Sequence, residues 1–231
     1  MKALGTTKAN VKSAALAVLA IGALAAGLSY LRQDTVVDSH RHLRQVILHY
    51  TLSRADQPIV ILGDSITEAS TLPRSLCGHP VVNAGLDGAS TSSDLGTWLM
   101  DVLNGRRAAA ILVALGTNDA LLEHSAQDFE TNYLALLAQL ATATDRLAVL
   151  GIPAVETRGG MTAKRQTDVM SRIDALNAML PALATRGHAA FIPTPSMPMP
   201  HTIDGVHLDA AGYAAWDAAV LKGVSGVCST N

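Results

Sequence analysis

The feature that most constrains this chain is an alternation between two kinds of segment. Short apolar runs recur at Ile59–Leu62, Val81–Val82, Ala109–Leu115, Leu147–Gly151 and Ala189–Ile192. Between them lie stretches of helical period, Leu95 to Leu103, Phe129 to Leu140 and Val169 to Leu183, with a last one from Ala210 to Leu221. The runs around Ile59, Ile111 and Leu147 lack the polar alternation of a half-exposed strand, as parallel strands covered on both faces do. Five runs joined by helices predict an α/β domain with a five-stranded parallel sheet and helices on both sides.

At 231 residues the chain has room for one large domain, or one domain with an appendage. The net charge of −2 gives no basic footprint, which excludes nucleic acid as a partner class. Two cysteines, Cys77 and Cys228, are too few for a disulfide framework or a four-cysteine metal site. They could pair in an exported protein, but two unrelated thiols is the simpler reading. The N-terminus carries Lys2, Lys8 and Lys12 ahead of an uncharged run from Ser13 to Leu31. At about 1.5 Å rise per residue that run can just cross roughly 30 Å of hydrocarbon. The positive flank predicts a cytoplasmic N-terminus and an exported remainder. Ala23-Leu24-Ala25 resembles a signal-peptide cleavage site, but Leu28, Tyr30 and Leu31 keep the run apolar beyond it and favour an anchor. A buried soluble helix is the third reading.

The expected organisation is therefore a signal anchor or signal peptide over 1–31, a helical linker over 32–56 and the domain over 57–231. In the linker, Leu43, Val46, Ile47 and Tyr50 fall at helical spacing and predict an amphipathic helix. His42 and His49 there are too far apart to share a helical turn, so they read as solvated side chains.

Polar residues gather after the strands, where ligands bind in wound parallel sheets. Gly63-Asp64-Ser65 follows the first run, "NAGLDGAS" the second, "GTND" the third and "HTIDGVHL" the fifth. A serine hydroxyl is a weak nucleophile until a histidine takes its proton, and the histidine needs an orienting carboxylate. Ser65 supplies the hydroxyl, and Asp204 and His207 share one tight turn. Oxyanion donors are available on neighbouring loops in the backbone N–H groups of Ser65 and Gly88 and the side-chain amide of Asn118. Taken singly, "GDS" and "GTND" could be plain turns and "DGVH" a helix cap. All four in order, each after its strand, is a much more specific signal.

The ordered set "GDSIT", "NAGLDGAS", "GTND" and "DGVHLDAAGYAAW" resembles the SGNH hydrolase (GDSL-type esterase/lipase) superfamily. The resemblance runs from about Ile59 to Leu221. It implies a three-layer α/β/α sandwich of flavodoxin-like arrangement. It also implies Ser65 as nucleophile, Asp204 and His207 as its partners, and Ser65, Gly88 and Asn118 as the oxyanion hole. Gly85 rivals Gly88, but the family's glycine lies three residues beyond a position like Gly85. Ile66 stands where the family name has leucine, an exchange of one apolar residue for another.

The implied activity is two-step hydrolysis of a carboxylic ester, with an envelope lipid or an acylated glycan as expected substrate. This chemistry calls for no metal and no organic cofactor. Two other readings use the same chain. One is an O-acyltransferase of cell-envelope polysaccharide, the other a non-catalytic, membrane-tethered glycan-binding module. Asp64 is expected to hold the turn beside Ser65 through backbone hydrogen bonds, and Asp119 to be structural. His79, His124, His188 and His201 read as surface groups, although His201 is close to the site loop. The loop from Pro193 to Pro200 is either a rigid connection or an apolar wall for an acyl chain.

Overall fold

The computed structural model describes residues 39–228. Its strands are β1 (Ile59–Gly63), β2 (Ser75–Leu76), β3 (His79–Gly85), β4 (Ala110–Ala114), β5 (Leu147–Leu150) and β6 (Ala189–Ile192). They form one sheet in the order β2-β3-β1-β4-β5-β6. The five longer strands are parallel, with Ile59 beside both Val81 and Ala110. The sheet nevertheless has six strands, not five, and is mixed. β2 runs antiparallel to β3, with Ser75 opposite Pro80 and Leu76 opposite His79. Two residues carry no readable period, and the turn before β3 is made by Cys77 and Gly78, both with positive φ, rather than by a familiar turn pair.

Successive residues of a strand face opposite sides, so a run without polar alternation must be covered twice. Val60 and Leu62 of β1 enter one core cluster, and Ile59 and Ile61 enter the other. The first cluster is closed by α3 (Leu95–Leu103), α5 (Ala126–Leu140) and α6 (Ala163–Arg186). The second is closed by α7 (Ala210–Cys228), through Trp216, Val220 and Val224. The result is the expected three layers. Two further helices are one turn long, α2 (Ser65–Glu68) and α4 (Thr117–Leu121), too short for a periodic signal. α5 and α6 begin earlier than their apolar periods because polar first turns are capped by Ser125 and Thr162, whose hydroxyls accept from Asp128 N and Arg165 N.

The chain divides into two units, Met1–Arg44 and Gln45–Asn231. The described part of the first, residues 39–44, is helical, and the second opens with helical residues 45–54, here α1. The predicted stripe of Leu43, Val46, Ile47 and Tyr50 is not the buried one: these four side chains are exposed, and Leu48 and Leu52 enter the core instead. The apolar run from Ser13 to Leu31 lies outside the described residues. Among the described residues no helix is long and apolar enough to cross a membrane.

The two cysteines are not independent thiols. Cys77 and Cys228 form a disulfide, with Cα atoms 6.4 Å apart, that ties the β2–β3 turn to the end of α7. A cross-link across 151 residues of sequence restricts the unfolded chain strongly. Cys77→Ser with Cys228→Ser is expected to lower the unfolding free energy by about 2–4 kcal/mol in urea titrations. Equal midpoints for the variant and the oxidised parent would show that the bridge contributes nothing.

Candidate active site

β1 ends on an acid and a hydroxyl because a helix begins there at once. Asp64 is the N-cap of α2, and its Oδ1 accepts from Ile66 N at 2.9 Å, as expected of a turn-holding residue. Ser65 is the first residue of that helix and is half-buried. α2 lies against the carboxyl end of β3, which Gly85 permits: a Cβ there would sit 2.2 Å from Glu68 N. Asn83 fixes the far end of α2 by donating from Nδ2 to Thr67 O at 2.7 Å and Ser70 O at 3.1 Å. Gly85 is therefore a packing position.

Gly88 has φ +69°, a region that favours glycine, in a turn closed by Ala89 N donating to Leu86 O at 3.1 Å. The neighbouring Asp87 N donates to the Glu68 carboxylate at 2.8 Å. Asn118, near the start of α4, donates from Nδ2 to Ala89 O at 2.9 Å. The Gly88 and Asn118 loops are thereby joined. A side-chain amide has two N–H donors, so one remains for another acceptor.

The turn from Asp204 to His207 brings the third group. His207 Nε2 lies 3.0 Å from Ser65 Oγ, and His207 Nδ1 lies 2.6 Å from Asp204 Oδ2. The other carboxylate oxygen, Oδ1, accepts from Val206 N at 3.0 Å and His207 N at 2.8 Å. Residues 142 positions apart in the chain thus form one hydrogen-bonded series of hydroxyl, imidazole and carboxylate. Partial burial pushes the Asp204 carboxyl up, but its hydrogen bonds from the His207 ring and amide and from Val206 N outweigh this and hold it at about 2.

A residue not foreseen from the sequence supports this turn from beneath. Glu156 is buried, and its Oε2 accepts from His201 N at 3.0 Å, Thr202 N at 2.8 Å and Thr202 Oγ1 at 2.5 Å. Glu156 N donates to Gly205 O at 2.8 Å, inside the Asp204–His207 turn. A lone glutamate after a strand carries no motif, so nothing in the sequence marked it. His201 is correspondingly not a surface group: it is 1% exposed, with Nδ1 3.2 Å from Glu156 Oε1. His124 has a partner as well, Asp119, whose buried carboxylate also accepts from Thr91 N and Oγ1. Asp119 is structural, as expected.

Burial pushes the Asp64 carboxyl up to about 6, against the pull of the Ile66 and Thr67 amides, the His207 charge and the Thr117 hydroxyl. Its sign is opposite to that of Asp204. The folded protein holds this proton between pH 4 and 6 while the unfolded chain has lost it, so stability falls as pH rises through that window. Two pH units correspond to about 3 kcal/mol. The unfolding free energy of the parent minus that of Asp64→Asn is expected to decline by roughly that amount from pH 4 to 7. A difference that stays flat with pH would show that Asp64 is ionised throughout.

Ser65, Asn118, Asp204 and His207 line an open cavity of about 370 Å³. Its apolar wall is Leu121, Met161 and Val206, not the Pro193–Pro200 loop, whose Met199 is 77% exposed and faces a separate hollow beside Val155 and Arg158. A larger cavity of about 920 Å³ runs along β6 between the amino end of β5 and the second half of α7 and holds none of these four residues.

Residues 61–215, more than half of the chain, match the GDSL-like lipase/acylhydrolase family. The chain belongs to this family. No curated sequence is a match. Among solved structures, this acylhydrolase is similar to a Streptococcus pneumonia protein provisionally described as a platelet activating factor. The TM-score is 0.69 at 24% identity, over 85% of this chain and 98% of that one. It is also similar to a catalytic mutant of Axe2, an acetylxylan esterase from Geobacillus stearothermophilus, with TM-score 0.57, 15% identity and coverage of 73% and 94%. A lipase/acylhydrolase from Enterococcus faecalis gives TM-score 0.56 at 19% identity, covering 74% and 96%. At these identities the structures speak for the fold, and the family match for the acylhydrolase class.

Proposed function

We propose that the protein is a serine esterase that hydrolyses carboxylic esters through an acyl-enzyme. The observation that carries this reading is the unbroken series from Ser65 Oγ through His207 to Asp204, at 3.0 and 2.6 Å. Ser65 attacks the ester carbonyl while His207 Nε2 accepts the hydroxyl proton, and Asp204 stabilises the resulting imidazolium. The negative charge on the former carbonyl oxygen is met by the amides of Ser65 and Gly88 and by the remaining N–H of Asn118. Collapse of the tetrahedral species releases the alcohol, which takes the proton from His207. Water then adds to the acyl-serine with His207 as base, and the acid departs.

Leu121, Met161 and Val206 offer an apolar wall to the acyl group. The substrate reading is an ester of an envelope lipid or an acylated glycan, the latter in keeping with the acetylxylan esterase named for one structural neighbour. Export, with the run from Ser13 to Leu31 as membrane anchor or signal, is part of the proposal. The disulfide supports it, since such bridges persist in oxidising compartments.

Asn118→Ala is expected to lower kcat by about 10²–10³, the usual loss for one oxyanion donor, with little change in KM. A rate within twofold of the parent would remove Asn118 from this role. A covalent fluorophosphonate adduct on Ser65 would exclude the non-catalytic binding module.

A further inference from the structure

The side chains of His207 and Asp204 are 40% and 47% exposed, so packing does not hold them, and their position comes from the backbone that carries them. That backbone is a closed loop. Ile203 N donates to His207 O at 2.8 Å, Asp209 N donates to His201 O at 2.8 Å, and Thr202 pairs with Leu208. The base of the loop rests on one buried carboxylate. Glu156 accepts from both amides of the first leg, His201 N and Thr202 N, while its own N–H reaches Gly205 O at the tip. The approach is close: a Cβ on Gly205 would lie 2.6 Å from Glu156 O.

His201 completes the base. Its ring is enclosed, and oxygen acceptors stand at both nitrogens. Nδ1 has Pro198 O at 3.0 Å and Glu156 Oε1 at 3.2 Å, and Nε2 has Ala154 O at 3.2 Å. A neutral imidazole donates from one nitrogen and presents a lone pair at the other, so either tautomer sets a lone pair against an oxygen. Only the doubly protonated ring donates on both sides. The neighbouring charges are engaged elsewhere. Arg158 donates to Thr202 O, and the Asp209 carboxylate accepts from Ala211 N and Gly212 N. Among the described residues His201 is the one ion-pair partner of Glu156.

We propose that Glu156 and His201 form a buried ion pair, and that this pair positions the Asp204–His207 turn against Ser65. Both are positioning residues, acting through His207. A misplacement of about 1 Å from a change outside the site can cost about 10²-fold in rate. The effect on rate rests on the esterase reading, whereas the charge of the pair does not.

The test uses the full chain in detergent micelles with isotope-labelled histidine. At neutral pH a long-range proton–nitrogen correlation is expected to show the His201 ring protonated on both nitrogens, its signal assigned by its loss in His201→Gln. A His201 ring with one bare nitrogen overturns the ion pair, whatever the activity. Glu156→Gln keeps the shape and an acceptor oxygen but removes the charge. Its kcat on p-nitrophenyl esters is expected to fall about 10²-fold, with KM within twofold of the parent. Fluorophosphonate labelling of Ser65 should slow by the same factor. An unchanged kcat, or a change confined to KM, overturns the positioning role. If Glu156→Gln does not fold, Thr202→Val, which removes only the hydroxyl donor to Glu156, is expected to lower kcat in the same sense and is judged alike. A parent with neither turnover nor labelling would sink the esterase reading instead. The His207 Nδ1 proton then decides: its far-downfield resonance, set by the 2.6 Å contact with Asp204, should move upfield in Glu156→Gln. A resonance that stays in place overturns the proposal.

Discussion

Ser65→Ala is expected to bring p-nitrophenol release from short acyl esters down to the rate in buffer, with the domain still folded. Loss of the nucleophile in a serine hydrolase lowers kcat by about 10⁶. The fold should survive because, among the described residues, Ser65 Oγ bonds only the His207 ring, whereas the cap of α2 comes from Asp64 and the packing of α2 from buried Ile66. Alanine is also at least as good a helix former as serine. Circular dichroism and the thermal midpoint should therefore match the parent. Hydrolysis that persists in the purified variant would show that Ser65 is not the attacking group. The same assay separates hydrolase from acyltransferase. Turnover in buffer without added glycan shows water as the acceptor, while turnover that needs the glycan shows acyl transfer.

The parts of the fold readable from sequence were those set by burial of both sheet faces. A strand such as Ile59–Leu62 has four apolar residues because it has cores on either side. β2 carries no such signature, being two residues held at an edge, and the sheet was read one strand short. For α1 the period was legible but not its direction. Val46, Ile47 and Tyr50 share one face, Leu48 and Leu52 the other, and spacing alone does not say which face meets the domain. At the site, Ser65, Asp204 and His207 were legible because each belongs to a short motif after a strand, and the fold brings all three together. Glu156 was not, since its role comes from three donors in a loop 45 and 46 residues away. His201 was misread for the same reason: its partners are the distant Glu156 carboxylate and carbonyls of Pro198 and Ala154, none of them a sequence pattern.

Asp204→Asn tests whether the carboxylate acts by charge or only by holding the turn. Asparagine keeps an oxygen for the Val206 and His207 amides, which Asp204 now binds at 3.0 and 2.8 Å, so the turn should persist. What disappears is the negative charge 2.6 Å from His207 Nδ1. In a buried triad that exchange lowers kcat by about 10⁴. Here the Asp204 side chain is 47% exposed, so solvent screens part of the interaction and the expected loss is about 10³. With its carboxyl held at about 2, Asp204 is ionised at every pH from 4 upward. Its stabilising contribution is present above the unfolded value near 4 and is lost only as pH falls toward 2. The rate deficit of Asp204→Asn should appear in kcat rather than in KM. A deficit smaller than threefold would mean that the imidazole is oriented by the turn itself and that the charge of Asp204 takes no part in the reaction.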